Sequence, residues 1–207
     1  MRDICRNMKT KGIKMQTYYD EETHKYYVEG KEKPSVTEIA SPISFERLDT
    51  LQKLLVERAR KRGERCHELF EEYLLTNELD IEEIETEYIP YVQQFILWEK
   101  AYRPKIIYTE KKLFSDEFCG TCDLICLIDG KCVLVDYKVT SVADKKSLSV
   151  QLEGYYRLCQ LYGITIDECY YLHIKKDGYV FKPITRNEKW FEILLEHNKF
   201  MKEKYNG

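Results

Sequence analysis

The dipeptide Asp129-Gly130 stands between two apolar runs, in the stretch GTCDLICLIDGKCVLVDYKVT from Gly120 to Thr140. A two-residue hairpin of type I′ needs positive φ at both central residues, and Asp-Gly tolerates that better than most pairs. With this turn, Ile128 faces Lys131, and counting outward sets Asp123 directly across from Asp136. Facing Cβ atoms in such a ladder are about 4.5–5.5 Å apart. Two carboxylates that close repel, so a fold that keeps them requires a proton, a Lys or Arg, or a metal ion between them. Lys138, two residues beyond Asp136, falls on the same strand face. Two acids and an ammonium are therefore expected to converge on one spot.

Around this hairpin the chain alternates helical and strand patterns. Two Tyr-rich strand-like runs flank a polar turn in TYYDEETHKYYVEG. Pro34 ends the extended segment, and Ser35 with Glu38 forms a capping-box pattern that starts a short helix. Helical spacing predicts helices over about 45–75, with a break near Gly63 left open, and over 81–102, where Ile84, Tyr88, Tyr91, Phe95 and Trp98 share a face. Strands are expected at 106–114, 118–128 and 131–139, a helix at 146–162, strands at 169–174 and 179–183, and a closing helix at 188–205. The central strands are apolar on both faces: Cys122, Leu124, Cys126, Val133 and Val135 on one, Ile125, Leu127, Cys132 and Leu134 on the other. A sheet buried on both sides needs helices on both sides. The expected class is an α/β sandwich with mixed strand directions.

A third acid, Glu110, is placed by the turn that follows it. If that turn is Ser115-Asp116, Glu110 faces Thr121 and lies one diagonal from Asp123; otherwise it is an exposed strand glutamate beside Lys111 and Lys112. Three oxygen ligands at one strand end suit Mg²⁺ or Mn²⁺ better than zinc. Such an ion polarises a phosphodiester and activates water. Lys138 would orient or deprotonate that water or stabilise developing negative charge, or it is simply an ion-pair partner.

The length of 207 residues suits one domain, and 33% charged with 43% hydrophobic residues is ordinary for a globular protein. A net charge of −3 gives no global attraction to nucleic acid, so any attraction has to be local. The N-terminus lacks the apolar region of a secretion signal and no run approaches the ~20 apolar residues of a membrane span. A cytoplasmic protein with no membrane contact is expected, its eight cysteines reduced. Cys119, Cys122, Cys126 and Cys132 cluster at the hairpin. Cys119-x-x-Cys122 has half of a metal-site spacing, but no second pair follows, and packing as small hydrophobes is the expectation.

The motifs GTCD, VDYK and QLEGY, in this order, resemble those of the PD-(D/E)xK nuclease superfamily, in its RecB-like exonuclease branch. RGERCHELF resembles the family's G-x-x-x-H helix through Gly63 and His67, and PSVTEI the entry segment of phage-type members. The resemblance covers about residues 34–182. It implies a restriction-endonuclease-like sandwich, a central mixed β-sheet flanked by helices, in a single domain (1–207) with an N-terminal hairpin and helical extension (1–104) and a catalytic core (105–185). It implies Mg (or Mn) as cofactor, held by Asp123, Asp136, the backbone carbonyl of Tyr137 and His67, with Glu110 added from the register. Asp123, Asp136 and Lys138 would be catalytic, and Gln151 with Tyr155, four residues apart on one helix face, would hold the DNA strand. Ser35 or Thr37 would bind phosphate or serve the helix cap. Arg62, with Arg58 and Arg65 on one face of a basic run, would line a phosphate groove or be solvated. An iron–sulfur cluster, which some members carry on C-terminal cysteines, is not expected, because no cysteine follows Cys169.

The resemblance implies a metal-dependent deoxyribonuclease, an exonuclease of recombination or repair. Its partners would be DNA and a possible recombination partner protein, with oligomeric state left open. The alternatives are a structure-specific endonuclease, a binding module with a vestigial metal site, and a thiol-ligated metalloprotein.

Overall fold

A computed structural model describes residues 9–10, 13–41 and 50–206. The chain opens with a short pair, β1 (Lys9–Thr10) and β2 (Ile13–Lys14). An antiparallel sheet of β3 (Thr17–Asp20), β4 (Lys25–Val28) and β5 (Lys31–Lys33) follows. The expected Tyr-rich pair is thus extended by a third strand. The turn into it is Glu29-Gly30, both at positive φ.

Pro34 leads into α1 (Val36–Ala40), and the capping box forms as read: Ser35 Oγ accepts the Glu38 N–H at 3.0 Å, while Glu38 Oε2 accepts the Ser35 N–H at 2.6 Å. The long helix α2 (Thr50–Thr76) runs unbroken through Gly63; the expected residues 45–49 lie outside the described ones. The next helix is shorter than its apolar spacing predicted. Residues 81–83 form a single 3₁₀ turn, and α3 spans Ile89–Tyr102. Pro90 explains the late start, since a residue without an N–H is tolerated only in the first helical turn.

The main sheet holds β6 (Lys105–Phe114), β7 (Cys119–Ile128), β8 (Lys131–Lys138), β9 (Glu168–Lys175) and β10 (Gly178–Pro183), in the order β10-β9-β8-β7-β6. Only β8 and β9 pair in parallel, joined by the crossover helix α4 (Lys145–Leu161). The closing helix is α5 (Glu188–Asn206). The sheet is therefore mixed and covered on both faces. On one side α1, α4 and α5 enclose a core that includes Leu113, Cys122, Ile125, Leu134 and Phe191; on the other, α2 and α3 enclose Phe70, Phe95, Trp98, Leu124, Val135 and Tyr137. A third, smaller core of Tyr26, Val28, Phe114 and Cys119 seats the N-terminal sheet on the β6–β7 hairpin.

Two glycines let the α4 layer approach closely. A Cβ on Gly154 would lie 2.6 Å from the Phe191 ring and 2.8 Å from Val36, and one on Gly120 would lie 2.8 Å from the Tyr155 ring. All three neighbours are buried. Gly154→Ala is expected to destabilise the protein by about 1–3 kcal/mol, the usual cost of overpacking, read as a lower midpoint in urea; an unchanged midpoint would show that α1 and α5 can shift away.

Candidate metal centre and active site

The β7–β8 hairpin forms as the turn chemistry dictates. Asp129 and Gly130 take φ of 50° and 80°, and the pairing runs from Ile128–Lys131 to Leu124–Val135. The next facing positions are Asp123 and Asp136. There the ladder gives way to a side chain, and Asp123 Oδ2 accepts the Tyr137 N–H at 2.6 Å. Strict alternation fails at the same place. Cys122 and Ile125, three residues apart, both pack on the α4 side, while Leu124 packs on the α2 side. The expected grouping of Cys122 with Leu124 and Cys126 is thus corrected: β7 turns over at Asp123.

The register of the β6–β7 hairpin also differs from expectation. Its turn is Asp116-Glu117, because the Ser115 hydroxyl accepts the Glu117 and Phe118 N–H groups at 3.3 and 3.1 Å and donates to the Phe118 carbonyl at 2.6 Å. Lys112, not Glu110, pairs with Thr121. The slip is by two residues, which preserves the face of every side chain, and it brings Glu110 opposite Asp123 itself. Glu110 has a φ of 43°, a left-handed conformation that costs a non-glycine residue about 1–2 kcal/mol. Strain of this kind collects where a side chain must be aimed.

From the opposite layer, α2 delivers His67. Its Nδ1 lies 3.2 Å from Glu110 Oε1 and 3.6 Å from Asp123 Oδ1, and its ring packs edge-on to Tyr137 at 5.5 Å. The ligand atoms of His67, Glu110 and Asp123 fall within 4.8 Å of one another, and theirs is the only metal-ligating group of this kind among the described residues. Asp136 is 2% exposed, and its Oδ2 receives no well-angled hydrogen bond; the Lys138 ammonium meets it as an ion pair at 2.5 Å. The donor set fits a hard divalent cation: clustered carboxylate oxygens, one imidazole and a further buried oxygen with a free lone pair.

The charges in this cluster are strongly interdependent. Burial pushes the Asp136 carboxyl up to about 6, against the pull of Lys138 and helped by the charge on Asp123. Asp123 is likewise raised by burial, then by Glu110, while His67 and Lys138 oppose. Burial works against protonated His67, yet Asp123 and Glu110 outweigh it and hold the imidazole up at about 9. Lys138 follows the same logic, desolvated but raised by Asp136 and Asp123. Without a divalent ion, two protonated side chains supply the compensating positive charge.

The helix α4 forms the other wall. Gln151 and Tyr155 are both buried, and the Tyr155 hydroxyl lies 3.4 Å from Thr37 Oγ1. Burial and the charges of Asp136 and Asp123 push the Tyr155 phenol well above its ordinary value. The hydroxyl of Ser35 is engaged in its helix cap. Arg62 donates through Nε to the Val139 carbonyl at 3.1 Å. Its neighbours are matched by glutamates: Arg60 by Glu57 and Glu64, and Arg65 by Glu68 and Glu85. The cysteines pack as small hydrophobes. Cys119, Cys122 and Cys126 are fully buried in three different cores, and no thiol joins a metal-ligating group among the described residues.

Two buried neighbours of the Asp136–Lys138 pair escaped the sequence reading. Tyr171 and His173 on β9 are register partners of Asp136 and Lys138, and both are buried. Period-two alternation in CYYLHIK puts them on one face, but nothing local says that β9 pairs with β8.

The mixed sheet lies between two helical layers, as expected, and His67, Glu110, Asp123, Asp136 and Lys138 gather at one end of β7 and β8. No family model matches the sequence, and no curated sequence does. Among solved structures, the chain is similar to a phage related exonuclease from Haemophilus somnus 129PT, with 13% identity, coverage of 84% of this chain and 92% of that one, and a TM-score of 0.41. It is also similar to an alkaline exonuclease from Laribacter hongkongensis, with 13% identity, coverage of 83% and 92%, and a TM-score of 0.42. What this site can do follows from its own residues. No helix among the described residues is long and apolar enough to cross a membrane.

Proposed function

We propose that the chain is a Mg²⁺- or Mn²⁺-dependent deoxyribonuclease that hydrolyses phosphodiester bonds, working as an exonuclease in recombination or repair. The observation that carries this reading is the meeting of His67, Glu110 and Asp123 beside the buried Asp136 and its ion-pair partner Lys138. His67, Glu110, Asp123 and Asp136, with the Tyr137 carbonyl, would hold the ion. When bound, a divalent ion polarises the phosphodiester and lowers the pKa of attacking water.

The protein's own groups do the rest. Lys138, kept protonated by the acids around it, neutralises charge that builds on the phosphoryl oxygens and orients the attacking water. Tyr155 and Gln151 on α4, with Thr37 on α1 in contact with the Tyr155 hydroxyl, would hold the phosphate and the strand. Tyr137, Phe70 and Phe95 form an aromatic wall behind His67. It shields one side of the site from water, which strengthens each charge interaction there.

The test is digestion of linear and closed circular DNA, and of RNA, with and without Mg²⁺. Wild-type protein is expected to degrade linear DNA only with the metal, and Lys138→Ala to be slower by about 10²–10⁴-fold, the usual worth of a positioned charged group. Cutting of closed circles would move the reading to an endonuclease. A wild type inert on every substrate would overturn it.

A further inference from the structure

The strand that carries Asp136 and Lys138 ends at Lys138, and the chain then leaves the sheet through Val139 and Thr140. Carbonyls that leave a ladder normally turn to water, and the backbone there is free to move. Here two consecutive carbonyls are captured by side chains from different layers. The Val139 carbonyl accepts the Nε–H of Arg62, on α2, at 3.1 Å. The Thr140 carbonyl accepts from His173 Nε2, on β9, at 2.6 Å. A carbonyl only accepts, so Nε2 carries the proton and the imidazole tautomer is fixed.

The two donors are themselves held. His173 is 6% exposed and stands beside Lys138 in the parallel ladder, so a single residue flanks the lysine and grips the chain two residues beyond it. The Arg62 guanidinium sits 5.8 Å from the centre of the Tyr91 ring on α3. Val139 is buried in the α2–α3 core, and Thr140 Oγ1 bonds forward to the Val142 carbonyl at 2.8 Å. The segment is thus fixed from both sides of the sheet, while neither donor shows a hydrogen bond or ion pair to the ligand carboxylates.

We propose that Arg62 and His173 are positioning residues: a two-sided clamp on the exit of β8 that fixes the backbone of Lys138 and so holds its ammonium against Asp136. The clamp itself is a statement about this segment; its catalytic consequence rests on the nuclease reading above. A catalytic group misplaced by about 1 Å can lose about 10²-fold in rate. No such penalty is expected in binding metal or DNA, which other residues contact.

The test compares His173→Leu, His173→Gln and Arg62→Met with wild type. Glutamine keeps an N–H at about the reach of Nε2; leucine and methionine keep bulk without a donor. Three readouts are taken: hydrogen exchange of the amides in residues 139–143, Mg²⁺ binding by calorimetry, and kcat and KM on linear DNA. His173→Leu and Arg62→Met are expected to speed exchange in that segment about tenfold or more, and to lower kcat about 10²-fold. KM and Mg²⁺ affinity should stay within about twofold, and His173→Gln should recover most of kcat. Unchanged exchange in both donor-less variants overturns the clamp, as does a loss that falls equally on KM and Mg²⁺ affinity and is not rescued by glutamine. If wild-type protein cleaves nothing, the nuclease reading and the catalytic role fall together, and the exchange data still decide whether the clamp exists. His173→Leu alone failing to fold leaves Arg62→Met to decide.

Discussion

Asp136→Asn is expected to make the metal-free protein more stable at pH 7.5 while abolishing cleavage. The fold raises the Asp136 carboxyl to about 6 from an ordinary value of 3.8, so it favours the protonated form. Stability from that preference is full below about pH 4 and is lost as pH rises through about 6. At pH 7.5 the wild type therefore carries the cost of an ionised, 98%-shielded acid, at most about 3 kcal/mol for a shift of this size, whereas asparagine never ionises. Lys138 loses a partner in the exchange, which offsets part of the gain, but the upward direction for Asp136 already includes that attraction. A gain of several degrees in thermal midpoint is the expected outcome, at about 2–4 °C per kcal/mol for a protein of this size. Cleavage should fall by about 10³-fold or more, because the amide brings neither charge nor the second metal-facing oxygen. The two readouts move in opposite directions. A variant that loses stability and activity together would mean that Asp136 serves the core and not the site.

A second large effect concerns pH and metal affinity. His67 is held protonated up to about pH 9 by Asp123 and Glu110. Its charge contributes stability that is complete below its ordinary 6.5 and disappears as pH rises through about 9. A divalent ion needs the neutral imidazole, so binding below pH 9 must expel a proton. Mg²⁺ affinity measured by calorimetry is expected to climb about tenfold per pH unit from pH 7 to 9, the slope of one proton released per ion, and then to level off. In buffers of different ionisation enthalpy the apparent heat should change in proportion to that released proton. His67→Asn should flatten the slope. A flat wild-type profile would place the ion away from the imidazole.

Much of the site was legible in the sequence because its geometry is local. Asp129-Gly130 prescribes its turn, the turn prescribes the register, and the register sets Asp123 facing Asp136 with Lys138 nearby. The second hairpin was read two residues off because the Ser115 hydroxyl ties down the Glu117 and Phe118 amides, moving the turn to Asp116-Glu117. An even slip conserves side-chain faces, and so Glu110 was placed on the right side for an imperfect reason. The helix predicted from Ile81 onward begins instead at Ile89, where the missing N–H of Pro90 outweighed apolar spacing. What local pattern cannot supply is the meeting of distant elements. That His67 reaches the strand end, that β9 lies parallel to β8, and that β7 turns over at Asp123 are decided by packing across layers. Arg62 shows the same limit. It reads as one cation of a basic run, and only the folded chain reveals a carbonyl waiting for it.

The left-handed backbone at Glu110 also shapes the outer edge of the main sheet. β6 is ten residues long and forms one border of the main sheet, the sort of rim that invites a stranger's strand to dock. At Glu110 the peptide leaves the extended path, and its register slips again between Ile106 and Tyr108, so no straight row of donors and acceptors is on offer. Lys105, Lys111 and Lys112 add like charges along the same rim. The bend that turns a carboxylate inward thus leaves the outer border a poor template for aggregation.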